Sequence, residues 1–183
     1  TSIWDNLPEP VLSEKPLSLE EYGLYNGLIL YRKELKGKKS GQLAVKGMHD
    51  YATLFLNGIF IGALDRREAA DTITIPESNI PDPVLEILVE GMGRINYGQN
   101  MFDRKGITDK VTLDGEELLN WQVFKLPMDK KFIYDLRSSG KTVNKSGNFF
   151  KGDFSLAYTG DTFFDLSNYR KGIVWVNGHN IGR

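Results

Sequence analysis

The chain contains 183 residues, of which 40% are hydrophobic and 26% are charged, and this composition excludes disorder for the bulk of the chain. The 23 Lys and Arg residues nearly cancel the 24 Asp and Glu residues, leaving a net charge of -1, which argues against a protein that binds nucleic acid or an anionic membrane surface. The chain has no Cys and only two His, which excludes disulfides and thiolate zinc sites. No run approaches the roughly 18 apolar residues of a membrane span, which excludes a membrane-spanning helix.

Short apolar runs that end at Asn-Gly or Asp-Gly pairs recur along the chain. These pairs favour the positive φ angles of tight hairpin turns, and they stand at 26–27, 57–58, 114–115 and 177–178. A capping box at 18–21 and the run 64–70 each indicate one short helical turn. No long helix is predicted, so we expect an all-β fold. In chain order the predicted strands are 27–35, 42–46, 52–56, 59–63, 72–75, 84–89, 110–113, 121–126, 148–158 and 172–176.

The first 17 residues differ in composition from the rest of the chain. They contain Pro8, Pro10 and Pro16, and each proline fixes φ and removes a backbone donor. We interpret residues 1–17 as an extended linker or docking arm, and a flexible tail is the alternative interpretation.

An internal similarity divides the remainder. The run 52–62 recurs at 172–182, 120 residues later, as a strand, an Asn-Gly turn and a second strand. Unrelated hairpins can resemble one another in this way. We favour two related β-sandwich modules, a first at 18–128 and an incomplete second at 129–183.

Catalytic motifs are missing from the sequence. It has no phosphate-binding glycine loop, no His-Glu-x-x-His helix and no Gly-x-Ser-x-Gly elbow. A pair of glycosidase carboxylates could come from anywhere in a sequence, but the aspartates here lie beside Gly, Arg or turn residues, where Asp commonly bonds its own backbone. We therefore predict structural roles for Asp50, Asp65, Asp103, Asp114, Asp153, Asp161 and Asp165.

The loop after the predicted strand 84–89 is the strongest candidate for a binding site. Residues 94–100 read Arg-Ile-Asn-Tyr-Gly-Gln-Asn, which combines hydrogen-bond donors, acceptors and one aromatic ring at a strand end. Sugars are bound by such a ring together with polar side chains. A loop that only bonds to itself is the alternative. Trp121 and Trp175 alternate with apolar residues, and we expect both to pack in a core.

Several of these segments resemble the region that follows the catalytic barrel in β-galactosidases of glycoside hydrolase family 35. The most specific are Gly-Met-Gly-Arg-Ile-Asn-Tyr-Gly at 91–98 and Asp-Arg-Lys-Gly-Ile at 103–107. Their order and spacing extend the resemblance to nearly the whole chain, and 130–147 is the unfamiliar part. The other matching stretches are 4–8, 25–32, 50–52 with the 57–58 turn, and 171–183.

The resemblance implies a galactose-binding-like jelly-roll β-sandwich, with one module and part of a second. It places the catalytic glutamates on a (β/α)8 barrel that this sequence does not contain, so we expect the chain itself to hydrolyse nothing. Tyr97 would reach the galactose pocket of that barrel, Arg94 and Asn96 would brace the loop, and Asp103 and Gly106 would support the turn after it. The implied partners are the barrel and a galactosyl carbohydrate. The alternative is an autonomous module that binds galactose-containing glycans at its own loops.

We expect no cofactor and no catalytic metal. Jelly-roll modules often hold a structural calcium, for which Asp161 or Asp165 is a candidate. The sequon 144–146 does not establish secretion, because such sequences occur by chance. The compartment stays open, with a periplasmic or secreted bacterial location favoured.

Overall fold

A computed structural model describes residues 1–37, 40–138, 140, 146–169 and 171–183. The chain forms two compact units. One contains Leu7–Met128, and the other contains Thr1–Asn6 together with Asp129–Arg183. The segment interpreted as an arm contributes a 3-10 turn, Ile3–Asp5, to the second unit and strand β1, Val11–Ser13, to the first.

The Leu7–Met128 unit is built from two antiparallel sheets. After β1 the strands are β2 Leu28–Glu34, β3 Gly41–Val45, β4 Met48–His49, β5 Tyr51–Leu56, β6 Ile59–Asp65, β7 Thr72–Ile75, β8 Val84–Glu90, β9 Gly106–Ile107, β10 Val111–Leu113, β11 Glu116–Glu117 and β12 Trp121–Leu126. The six-stranded sheet has the order β1-β12-β2-β8-β5-β6, and the four-stranded sheet has the order β11-β10-β3-β7. The short strands β4 and β9 form a separate pair.

The core of this unit lies between the two sheets. Alternate residues of β2, β5, β8 and β12 form one buried cluster with residues of β3, β7 and β10, as the two-residue period of strands requires. Trp121 is buried within it, as expected, and its indole N–H donates to the carbonyl of Leu118 at 2.7 Å. The predicted all-β, galactose-binding-like sandwich class is confirmed.

The second unit has little regular structure. It contains α1, Lys130–Asp135, and the hairpin of β13, Val174–Val176, with β14, His179–Gly182. The side chain of Asp129 caps α1 by accepting from the backbone N–H of Phe132 at 2.8 Å. Trp175 is only partly buried and packs near the ring of Phe149. Within the described ranges, no helix is long and apolar enough to cross a membrane.

The internal similarity extends to backbone detail. Asn57 and Asn177 have φ of 49° and 50°, and the glycines that follow have φ of 77° and 78°, the combination of a type I′ turn. Both hairpins also shift register at the same place, between Leu54 and Phe55 in one and between Val174 and Trp175 in the other. The two hairpins therefore share a turn and a bulge as well as a sequence pattern.

Two predicted elements are wrong. The strand expected at 148–158 is absent, since this described stretch makes only an isolated bridge between Asn148 and Ser2, and its aromatic side chains Phe150 and Tyr158 are 77% and 89% exposed. The helical turn expected at 64–70 is instead the last two residues of β6 followed by a single turn, in which the backbone N–H of Glu68 donates to the carbonyl of Asp65 at 2.9 Å. Asp65 accepts from the backbone N–H of Arg67 at 3.0 Å, a local bond that competes with helix formation.

The helical turn predicted near the capping box does form, at Glu20–Tyr22. Only the Glu21 half of the capping box is present: the backbone N–H and the hydroxyl of Ser18 both donate to Glu21 Oε2, at 3.1 and 2.8 Å, and no described side chain caps the turn. This turn matters for the site, because it places Glu20 beside the loop that follows β8.

Candidate functional site

The candidate loop runs from the end of β8 to the start of β9. Strand β8 pairs with β2 on one side and β5 on the other, so the loop leaves the sheet from an interior strand. Its start packs closely against its end, because a Cβ on Gly91 would lie 3.1 Å from the Cβ of Lys105.

Asp50, between β4 and β5, joins the two ends of the loop. Its Oδ2 accepts from the backbone N–H of Met92 at 2.7 Å and from Lys105 Nζ at 2.8 Å. Its Oδ1 accepts from Arg66 Nη1 at 2.6 Å and from Lys105 Nζ at 3.0 Å. Both Asp50 and Lys105 are buried, at 4% and 3% exposure. Buried charges require such partners.

Asp103 completes a network of alternating charges. Its carboxylate accepts two hydrogen bonds from Arg66, at 2.7 and 3.1 Å, and one from Lys105 Nζ at 2.7 Å. His49 Nδ1 lies 3.2 Å from its Oδ1. Burial alone would raise the pKa of Asp103, but the hydrogen bonds from Arg66 and Lys105 lower that pKa to about 2. The hydrogen bond to Asp103 in turn raises the pKa of Arg66.

Arg94 bonds the loop to two residues outside it. Its guanidinium donates from Nε and Nη2 to the carbonyl of Tyr25, at 2.9 and 2.8 Å, and from Nη1 to Glu20 Oε1 at 2.5 Å. Burial opposes ionisation of Glu20, yet the hydrogen bond from Arg94 holds the pKa of Glu20 below its ordinary value. The Glu20 carboxylate also accepts from the backbone N–H of Lys105 at 3.2 Å.

Tyr97 lies at the outer part of the loop and is 88% exposed. Asn96 is exposed too, and its side chain makes no hydrogen bond to any residue the structure describes. Met101 and Phe102 add further apolar surface, at 55% and 90% exposure. The loop therefore combines a fixed base with an exposed aromatic surface.

Gly106 and Tyr31 support the chain just after the loop. Gly106 has a φ of 94°, and a Cβ there would lie 2.7 Å from the Tyr31 hydroxyl and 2.6 Å from a methyl group of Leu19. The same hydroxyl donates to the carbonyl of Leu17 at 2.6 Å and accepts from the backbone N–H of Ile107 at 3.2 Å. Only a glycine fits this close approach.

The sequence reasoning missed the charged network under the loop. Asp50 and Asp103 were expected to bond their own backbone, but both are paired with Arg66 and Lys105. The signal for Asp50 was its position directly before the apolar run 51–56, where an ionised side chain needs a partner to become buried.

A cavity of about 210 Å³ lies beside this network rather than at Tyr97. It is open to solvent, and several of its charged side chains already have partners: Arg66 with Asp50 and Asp103, Asp65 with Arg67, and Asp71 with Lys46. The residues that line it are Val45, Gly47, Met48, His49, Asp65, Arg66, Glu68, Ala70 and Asp71.

The calcium expectation stays a prediction. Asp165 accepts from the backbone N–H of Ser167 at 2.9 Å, a local turn bond. Among the residues that the structure describes, no three His, Cys, Asp or Glu side chains come together as a metal site. The sequon at 144–146 extends outside the described residues.

Comparison with known proteins places these features in a family. Residues 16–127 match the model "Beta-galactosidase, first all-beta domain" and residues 148–183 match "Beta-galactosidase, galactose-binding domain". A beta-galactosidase from Xanthomonas manihotis is 36% identical over the whole chain, and the human beta-galactosidase-1-like protein 2 is 35% identical over the whole chain. The beta-galactosidase of Bos taurus is 30% identical over 95% of the chain.

The chain spans about 30% of the length of each of these relatives. The matched segments include the loop that carries Tyr97 and both Asn-Gly hairpins, so the resemblance inferred from the motifs is confirmed. The family model of the first all-beta domain matches more than half of this chain. The chain therefore belongs to the family of beta-galactosidase all-beta domains.

Proposed function

We propose that this chain is a noncatalytic accessory region of a β-galactosidase. It packs on a catalytic (β/α)8 barrel and presents Tyr97 to the pocket that holds terminal galactose. The hydrolytic carboxylates belong to the barrel, so the chain by itself turns over no substrate.

The observation that carries this proposal is the contrast between Tyr97 and the base of its loop. Tyr97 is 88% exposed, whereas Asp50 and Lys105 at the base of its loop are almost fully buried. Fixing the base of the loop leaves less backbone freedom to be lost when Tyr97 binds, which lowers the cost of binding. A ring of this kind supplies a stacking face and a hydroxyl to a sugar.

The surface around Tyr97 supports packing on a larger partner. Ile95, Met101 and Phe102 are 40%, 55% and 90% exposed in the chain alone. Apolar side chains grouped on one loop favour contact with another protein surface over contact with water. The net charge of -1 provides no strong field, so shape and apolar contact would determine this interface.

The second candidate function is an autonomous carbohydrate-binding module. The same exposed ring, with Arg94 and Asn96 beside it in sequence, would also suit a shallow sugar site on the isolated chain. This candidate predicts that the chain binds galactose-containing glycans without a barrel, and the first candidate predicts that it does not.

A calorimetric titration of the 183-residue chain with galactose, lactose and galactan oligomers separates the two candidates. No heat of binding is expected under the accessory proposal. Millimolar or tighter binding that Tyr97→Ala abolishes would instead establish the autonomous module. Tyr158→Ala is the matched control, because Tyr158 is 89% exposed but lies in the other unit.

A hybrid enzyme tests the accessory role directly. The chain replaces the matching stretch of the Xanthomonas manihotis beta-galactosidase, and turnover of an aryl β-galactoside is measured. Tyr97→Ala is expected to raise KM by roughly ten- to a hundred-fold, the usual loss for one good contact in a binding site, while Tyr158→Ala leaves KM unchanged. An unchanged KM in the Tyr97→Ala hybrid would disprove the proposal.

A further inference from the structure

The loop that carries Tyr97 has little bonding of its own. Between Gly93 and Phe102 the structure describes no strand or helix, and the one backbone hydrogen bond near its end runs from Asp103 to the carbonyl of Asn100 at 3.0 Å. Arg94 bonds the loop to Tyr25 and Glu20, and the rest of the loop geometry must be imposed from its base, where the chain enters and leaves the sandwich.

The base is a closed set of four charges. Asp50 and Asp103 each contact both Arg66 and Lys105, so every carboxylate faces two cations and every cation faces two carboxylates. Asp50 also accepts from the backbone N–H of Met92 at 2.7 Å. Residues at both ends of the loop are thus attached to one side chain that belongs to neither end.

Stability alone is a weak reason for such an arrangement. Buried ion pairs are often no more stabilising than apolar side chains of the same volume, because each charge loses its hydration. Four ion-pair contacts fix directions and distances more narrowly than apolar packing does. The network therefore suits a segment whose position matters more than its contribution to folding.

We propose that Asp50, Arg66 and Lys105 are positioning residues that hold the 91–105 loop, and with it Tyr97, in one geometry. The role of this loop geometry in galactose recognition rests on the function proposed above. The positioning of the loop is a property of this chain and does not depend on that function. Asp50 has the central place, because it contacts Met92 at the start of the loop and Lys105 at its end.

Hydrogen–deuterium exchange on the 183-residue chain tests the positioning without any sugar. In Asp50→Asn and in Lys105→Met, the backbone amides of Met92 and Asp103, which donate hydrogen bonds at the two ends of the loop, are expected to exchange roughly ten- to a hundred-fold faster, the effect of losing charge-assisted hydrogen bonds at the base. Lys105→Arg keeps the charge and should restore most of the protection.

Glu86→Gln is the matched control. Glu86 has the same side-chain exposure as Asp50, 6%, and pairs with Arg32 at 2.8 Å. It alternates along β8 with the core residues Leu85 and Ile87, so it lies on the other face of the sheet. If hydrogen exchange in the loop becomes faster by the same factor in Glu86→Gln as in Asp50→Asn, the inference is overturned, because the effect would then be general destabilisation.

The hybrid enzyme separates this inference from the proposed function. Asp50→Asn is expected to raise KM, and the Asp50→Asn, Tyr97→Ala double variant should be no worse than Tyr97→Ala alone, since one residue acts through the other. Additive effects on KM would overturn the link between them. If Tyr97→Ala has no effect on KM but the loop exchanges faster in Asp50→Asn, the proposed function fails and the positioning stands.

Discussion

Asp103→Asn probes the charged network through its dependence on pH. The side chain of Asp103 is 9% exposed and accepts from Arg66 and Lys105, and His49 is the third titratable group that faces it. Burial raises the pKa of such a carboxyl, but here the donated hydrogen bonds are stronger and lower the pKa to about 2. Asparagine keeps the size of the side chain and removes this ionisation.

The pKa also sets the magnitude and the sign of the effect. The ordinary pKa of Asp103 is 3.8 and the folded value is about 2, which corresponds to roughly 2 kcal/mol in the free energy of unfolding. Because the folded pKa is the lower one, this stabilisation is fully present above pH 4 and is lost as the pH falls from about 4 through about 2. The variant lacks it at every pH.

Urea denaturation at pH 7, 4 and 2.5 measures the difference in unfolding free energy between the unchanged chain and Asp103→Asn. In a background with Trp4→Phe and Trp175→Phe, fluorescence reports only Trp121, which is buried in the Leu7–Met128 unit. The difference in unfolding free energy should shrink by about 1.5 kcal/mol between pH 7 and pH 2.5, most of the full effect. Asp71→Asn, which removes an ion pair whose two side chains are each 44% exposed, should cost under about 1 kcal/mol. A difference that does not change with pH would refute the reasoning.

Two further predictions concern the support after the loop. Gly106→Ala should cost roughly 2–4 kcal/mol in unfolding free energy, because the new methyl group meets Leu19 and Tyr31 at a φ of 94°. Gly115→Ala, at a φ of 84° in open space, should cost only about 1 kcal/mol, and equal losses in urea denaturation would contradict the steric argument. Tyr31→Phe should cost roughly 1–3 kcal/mol by leaving the Ile107 amide and the Leu17 carbonyl without their partner; no change in the urea midpoint would show that water replaces the hydroxyl.

Local patterns were sufficient to predict most of the strands. Strands β7 and β12 are found at their predicted residues, and the other sandwich strands of four or more residues differ from prediction by one or two residues at one or both ends. The period of two and the Asn-Gly turns act over a few residues, so the sequence contains them directly. The Asn57 and Asn177 turns have nearly the same φ angles, as their shared Asn-Gly sequence predicts.

Elements that depend on distant partners could not be predicted in this way. The run 148–158 is aromatic enough for a strand, but a strand forms only against a neighbour, and this described stretch pairs only at Asn148. In the site, Asp50 and Lys105 are 55 residues apart. Their contact follows from the pairing of whole strands, so nothing within a short window of sequence announces it.

Strand register is what connects the predicted fold to the candidate site. Tyr51 of β5 lies opposite Glu90 of β8, which places Asp50 opposite Gly91, at the point where the loop begins. The backbone N–H of Asp50 donates to the carbonyl of Glu90 at 3.2 Å, so the last bond of the sheet and the first bond of the loop share one residue. A slip of one residue between these strands would turn the core residues of β5 to the wrong face, and it would also move the Asp50 carboxylate away from Met92. The apolar alternation that buries the sheet therefore also fixes the base of the Tyr97 loop.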